Sequence, residues 1–93
     1  MGECVKVIGE GAFFASGLSE ISLPFGLEEI HSSAFYHCEN LTKITIPESV
    51  VFIGEKAFGL NEDLSIYCQA TLQPTTWDDN WNSSNCPVFW GYI

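Results

Sequence analysis

The residues best suited to chemistry in this sequence are its cysteines and histidines. The four cysteines are Cys4, Cys38, Cys68 and Cys86. No two of them form a Cys-x-x-Cys pair, so the spacing typical of a zinc site is absent. His37 directly precedes Cys38, but a nucleophilic pair needs side chains that converge in space and a third group that orients the base. The pattern therefore favours free, packed thiols, with a Cys68–Cys86 disulfide as the alternative in an exported protein.

A second candidate lies near the C-terminus, in the run Asp78-Asp79-Asn80-Trp81-Asn82. Its oxygens suit Ca²⁺, yet the alternating ligand positions, the glycine and the distal glutamate of an EF-hand are missing. The run more simply predicts a turn held by side-chain bonds to the backbone. The tryptophans also suggest carbohydrate stacking, although sealing an apolar core is the favoured role. We predict no catalytic residue, no cofactor and no metal.

Charge restricts the class of partner. Lys and Arg number 3 against 12 Asp and Glu, which gives a formal charge of −9. Nucleic acids and anionic membrane surfaces both require cationic side chains, so neither is an expected partner. No apolar run approaches the ~18 residues of a membrane span, so we expect no membrane insertion.

The strongest signal is an internal repeat whose period lies in the low twenties. The clearest set is Ile8-Gly9-Glu10-Gly11-Ala12-Phe13, Ile30-His31-Ser32-Ser33-Ala34-Phe35 and Ile53-Gly54-Glu55-Lys56-Ala57-Phe58. Such a unit cannot bury its apolar face alone, so stacking of successive units must supply the core. The predicted fold class is a mainly β repeat solenoid of about three rungs, spanning residues 5–23, 24–46 and 47–68.

Three short segments are predicted to form the parallel sheet of this solenoid: residues 18–23, 41–46 and 64–68. The period is interpreted as stopping at Gln69. Residues 69–93, which contain all three tryptophans, then predict a capping segment that covers the end of the core, with Trp81 and Trp90 mostly buried. Rungs and capping segment together form one domain.

With these units aligned, the sequence resembles the BspA-type leucine-rich repeat of bacterial and protist surface proteins. The resemblance is carried by Leu41-Thr-Lys-Ile-Thr-Ile-Pro-Glu-Ser-Val-Val-Phe-Ile-Gly-Glu-Lys-Ala-Phe58 and by the ending Pro87-Val-Phe-Trp-Gly-Tyr92. It implies a right-handed superhelix and a secreted or surface-attached protein used in adhesion or protein binding. It supplies no catalytic residues.

We therefore expect a non-catalytic interaction module at the cell surface, with a protein ligand. The alternatives are a structural spacer and a carbohydrate-binding module that uses the tryptophans. The candidate contact residues are those predicted to point outward from turns and strands. They are Phe14, Tyr36, Phe25, Phe52, Ser22, Thr45 and Tyr67.

The start of the chain carries two further expectations. The first unit has its Ile-Gly-x-x-Ala-Phe half but no preceding Leu-x-x-Ile-x-Ile segment, which predicts a fragment of a longer protein. The edge of segment 18–23 and the apolar side chains of the first rung then have no partner in the chain. This fragment is expected to self-associate through that face.

Overall fold

The computed structural model describes residues 5–61 and 63–92; Cys4 lies outside the described residues. Six short strands are formed: β1 (Val7–Ile8), β2 (Glu29–Ile30), β3 (Lys43–Ile46), β4 (Phe52–Ile53), β5 (Ser65–Cys68) and β6 (Val88–Trp90). They form two sheets, in the orders β1-β2-β4 and β3-β5-β6, and every pairing is parallel. Parallel sheets built from segments one period apart confirm a repeat fold made mostly of strands.

The first sheet aligns the isoleucines of the repeat. Ile8 pairs with Ile30, and Ile30 pairs with Ile53, all three of them buried. Because strand side chains alternate between faces, the preceding residues Val7 and Glu29 point away from the core. Register is fixed here by burial, since a slip of one residue would expose all three isoleucines.

The second sheet differs from the prediction in one strand. Segments 41–46 and 64–68 do contain β3 and β5, but segment 18–23 forms no strand, and β6 takes the third place beside β5. The chain from Phe13 to Leu18 is one residue shorter than the equivalent links in the next two units. After this shorter link, Ser19–Ser22 and Thr42–Thr45 line a groove of about 350 Å³, and no strand pairing joins the two segments.

A column of stacked rings runs through the core along the repeat axis. Phe13 stacks on Phe35 at 5.2 Å between ring centroids, and Phe35 stacks on Phe58 at 5.4 Å with the planes nearly parallel. Trp81 then meets Phe58 edge to face at 6.0 Å. Each such aromatic pair contributes about 0.5–1.5 kcal/mol beyond the apolar area that it buries.

A buried asparagine ties neighbouring units together beside this column. The Asn61 side chain is 1% exposed, its Oδ1 accepts from Cys38 N at 2.7 Å, and its Nδ2 donates to Phe35 O at 2.7 Å. In the preceding unit, Cys38 occupies the position equivalent to Asn61. Its thiol makes the corresponding hydrogen bond, from Cys38 Sγ to Phe13 O at 3.0 Å. Buried backbone groups need such partners, because leaving one unsatisfied costs about 1–3 kcal/mol.

The interpretation that the period stops at Gln69 is wrong. Trp81 stands at the same spacing from Phe58 as Phe58 does from Phe35, and it continues the ring column. Asp78 N donates to Ile53 O, and Lys56 N donates to Asn80 O, so residues after 69 continue the hydrogen bonds between units. The change of residue types hides this continuity in the sequence.

The burial of the tryptophans only partly follows the prediction. Trp77 and Trp81 are buried, and their rings meet at 4.9 Å edge to face. Trp90 is only half-buried, although its ring lies within 5.8 Å of Trp77. The prediction that Trp81 and Trp90 are mostly buried is therefore confirmed for Trp81 and only partly confirmed for Trp90.

Two glycines at the same position of the repeat provide a matched test of how closely the units stack. A Cβ on Gly54 would lie 2.5 Å from Ser32 N and 3.0 Å from the carbonyl carbon of His31, whereas a Cβ on Gly9 would have nothing within 4 Å. We expect Gly54→Ala to lower the free energy of unfolding by about 1–3 kcal/mol, as overpacking does. Gly9→Ala should leave it unchanged or raise it by up to about 1 kcal/mol, because alanine has less freedom in the unfolded chain.

Urea unfolding followed by tryptophan fluorescence measures both variants. Equal effects of the two substitutions would contradict the close contact between the units at Gly54.

Candidate interaction surface

The contact residues predicted from the sequence fall into three regions of the surface. Ser22, Phe25, Thr45 and Tyr67 lie on or beside the outer side of the second sheet. Phe14 and Tyr36 form a separate pair on the turns, and Phe52 lies on the outer side of the first sheet. The structure therefore brings four of the seven candidates into one region.

The outer side of the second sheet carries a cluster that we call the aromatic face: Lys43, Thr45, Tyr67, Phe89 and Tyr92. Thr45, Tyr67 and Phe89 are in register across β3, β5 and β6. The Tyr67 ring stacks on Phe89 at 5.0 Å and meets Tyr92 at 4.8 Å. Lys43 Nζ lies 5.0 Å from the centre of the Tyr67 ring and 5.6 Å from that of Tyr92. A cation over an aromatic ring contributes about 0.5–1 kcal/mol at an exposed site, which favours one arrangement of this face.

Phe25 stands beside the aromatic face at the corner of the fold. It lies in a turn that is closed by a hydrogen bond from Leu27 N to Pro24 O at 3.1 Å. Gly26, in the same turn, has φ +98°. Such a φ suits glycine at this place in a turn, and it leaves the Phe25 ring directed outward, 79% exposed. Phe25 lines two grooves, of about 240 and 410 Å³.

The Phe14–Tyr36 pair lies elsewhere. The rings stack at 5.3 Å, and Phe14 remains exposed. At the equivalent position of the next unit stands Gly59, where a Cβ would lie 2.6 Å from the Tyr36 ring. Since Gly59 has no side chain, the stack does not continue into the third unit and consists of the Phe14 and Tyr36 rings.

Phe52 is the most isolated candidate. It is half-buried, and the ring of His31 meets it edge to face at 6.1 Å. His31 Nε2 also lies 2.7 Å from Glu29 Oε1, so an imidazole and a carboxylate stand beside this single aromatic ring.

Among the described residues, the thiols and imidazoles do not assemble a catalytic pair. His37 Nε2 contacts Glu39 Oε1 at 2.6 Å, whereas the neighbouring Cys38 thiol is buried and donates to Phe13 O. Burial raises the pKa of Cys38 and Cys86, and raises the pKa of Cys68 to about 12. All three are free thiols in the structure. A buried neutral thiol is a poor nucleophile, because the thiolate is the reactive form.

Two of the side chains considered for Ca²⁺, Asp78 and Asn82, bind the backbone instead. Asp78 Oδ1 accepts from Asn80 N at 2.8 Å, and the Asn82 amide bonds both Cys86 N and Cys86 O at 2.9 Å. Within residues 5–61 and 63–92, no group of three or more His, Cys, Asp or Glu side chains is placed to hold a metal ion. The same part of the chain contains no helix long and apolar enough to cross a membrane.

Sequence reasoning misses Phe89 and Tyr92 as surface residues, because it places the end of the repeat before them. The signal was present: the spacing from Tyr67 to Phe89 equals the spacing from Thr45 to Tyr67. Extending that register past Gln69 would have placed Phe89 on the outer side of the sheet and completed the aromatic face.

Comparison with known proteins agrees with this geometry. A family model described as the BspA type leucine rich repeat region (6 copies) matches residues 1–76. No curated protein and no solved structure matches the chain. The matched residues contain the three stacked phenylalanines and strands β1 to β5, which show the period. The chain thus belongs to the BspA-type leucine-rich repeat family.

Proposed function

We propose that this protein is a non-catalytic module that binds a protein ligand through its aromatic face. The observation that carries the proposal is the register of Thr45, Tyr67 and Phe89 across three parallel strands, extended by Tyr92 and Lys43. A family of repeats that mediates protein interactions supports a binding role for such a face.

The residue types on this face are those that dominate protein interfaces. Tyrosine is enriched among the interface residues whose truncation to alanine costs the most binding free energy. Rings already held by stacking lose little side-chain conformational entropy on binding. Phe89 is 48% exposed and Tyr92 is 38% exposed, so both rings have area left to bury. Because strands of the sheet hold the rings, the surface is largely preformed.

The architectural part of the proposal follows the sequence. We propose a right-handed superhelix of about three rungs with the repeat sequence, residues 5–23, 24–46 and 47–68. A capping segment at 69–93 closes it and keeps the period while its residue types change. Trp81 is buried against Phe58 and Trp77 is buried against Trp81, which supports a covering role for that segment. By analogy with its family, the protein acts outside the cell or at its surface, in adhesion.

Two alternatives receive less support. A structural spacer would be expected to have a polar surface, whereas the aromatic face and Phe25 are exposed together. Carbohydrate binding through the tryptophans requires open ring faces, but Trp77 and Trp81 are buried and Trp90 packs against both.

Surface plasmon resonance against a panel of purified plasma and extracellular-matrix proteins tests the proposal. We expect saturable binding of at least one protein. The double variant Tyr67→Ser, Phe89→Ser should weaken it at least about tenfold, since an interface residue at the centre contributes about 2 kcal/mol or more.

The matched control is Phe14→Ser, an exposed phenylalanine outside the aromatic face. It should leave the affinity unchanged. Binding that the double variant retains, or a panel in which nothing binds, would contradict the proposal.

A second part of the proposal concerns self-association. Val5, Phe13, Leu18, Ile21 and Leu23 are only half-buried, and β1 is the edge strand of the first sheet. An edge with apolar neighbours can pair with a second copy of the chain. Half-exposed apolar side chains would then be covered at the contact between two copies.

Light scattering over a concentration series measures this association. The mass should rise from 10.3 kDa toward twice that value, and Leu23→Lys should keep the protein monomeric. A monomer at the highest concentration, or a dimer that Leu23→Lys does not affect, would argue against self-association.

A further inference from the structure

The larger groove beside Phe25 has the composition of a small-ligand site. We call it the corner groove; it measures about 410 Å³, within the range of ~300–1,000 Å³ usual for ligand pockets. Its lining residues are Phe25, Glu48, Gln69, Thr71, Gly91 and Tyr92. Two aromatic rings therefore stand with a carboxylate, an amide and a hydroxyl in one concave site.

Turn geometry and a side-chain bond fix the positions of these groups. Phe25 and Glu48 occupy equivalent positions of successive turns, each closed by the same hydrogen bond to a proline carbonyl, Leu27 N to Pro24 O and Val50 N to Pro47 O, both at 3.1 Å. Gln69 Oε1 accepts from Glu48 N at 3.2 Å, which ties the amide to the neighbouring turn. The polar groups are therefore held next to the exposed ring.

The groove also continues past Phe25. The second groove, of about 240 Å³, shares Phe25 and Gln69 with the first and extends to Ser22 and Thr45. A ligand longer than one ring could contact both grooves, which share Phe25. The site is thus an elongated surface rather than a closed pocket.

Charge around the corner groove selects the class of ligand. Lys43 Nζ lies 5.6 Å from the centre of the Tyr92 ring, so a cation already lies against one of the two rings of the groove and opposes a second cation there. The Glu48 carboxylate and a net charge of −9 oppose an anion. A wholly apolar ligand would remove water from Glu48 and Gln69 without replacing their hydrogen bonds, which is costly.

A neutral ligand with an apolar face and many hydroxyl groups meets all three conditions. A pyranose ring stacks its C–H face on an aromatic ring, while its hydroxyls bond a carboxylate and an amide. From this geometry we propose that the corner groove binds a neutral oligosaccharide, with one sugar stacked on Phe25 and its hydroxyls on Glu48 and Gln69. This site goes beyond the protein-binding role of the aromatic face, and it does not use the tryptophans.

The test titrates the ¹⁵N-labelled full chain with neutral tetrasaccharides: cellotetraose, chitotetraose and mannotetraose. At least one should shift the amide signals of Thr71 and Gly91 and the side-chain signals of Gln69 in a saturable way. Phe25→Ala should weaken this binding at least about tenfold, and Glu48→Gln should weaken it several-fold.

Phe14→Ala is the control and should leave the affinity unchanged within about twofold, because Phe14 is an exposed phenylalanine outside the groove. Phe25 is 79% exposed, so its replacement should not alter the melting temperature. An uncharged Gly-Ser-Thr-Asn peptide serves as the competing ligand class.

The proposal is overturned if no tetrasaccharide shifts these signals at about 20 mM, which corresponds to a binding free energy near −2.3 kcal/mol. It is also overturned if Phe25→Ala binds as the wild type does, or if the peptide binds and the sugars do not. These outcomes do not bear on the aromatic face, because Tyr67→Ser, Phe89→Ser is tested against protein ligands only.

Discussion

Stacking of one unit on the next, through the column Phe13–Phe35–Phe58–Trp81, is the interaction on which the rest of the structure depends. The strands have two to four residues, too few to be stable as an isolated sheet. They persist because each unit buries its isoleucines and its ring against the neighbouring units. The hydrogen bonds of Asn61 and the absence of a side chain at Gly54 let the backbones approach closely enough for this contact.

The same constraint builds the surface. When the inward residues of adjacent strands are aligned from unit to unit, the outward residues are aligned as well, because side chains alternate along a strand. Ile44, Ile66 and Val88 align on the inner side of the second sheet, and Tyr67 and Phe89 therefore stack on the outer side. The aromatic face and the corner groove are thus a consequence of the period, and their chemistry is set by outward residues that take no part in the core.

The sequence predicted the part of the fold that depends on strict spacing. Phe35 and Phe58 share their residue type, a preceding alanine and the spacing from the isoleucine of their unit, so their stacking could be inferred from the sequence alone. Segment 18–23 has the residue pattern of a strand, but a groove lies between it and β3, and that separation depends on the path of the chain in three dimensions. Phe89 and Tyr92 were missed because the units after Gln69 keep the period while changing residue types. The corner groove could not be predicted, since Phe25 and Tyr92 come from distant parts of the sequence.

The most direct measurement of the central claim compares Phe35→Ala with Phe13→Ala by urea unfolding. Phe35 stacks on a ring on each side, whereas Phe13 is half-buried and stacks on Phe35 alone among the described residues. If stacking between units holds the fold, Phe35→Ala should lower the free energy of unfolding by about 3–5 kcal/mol, the cost of removing a buried phenylalanine, and Phe13→Ala by clearly less. Equal losses, or a Phe35→Ala protein that unfolds like the wild type, would contradict the account.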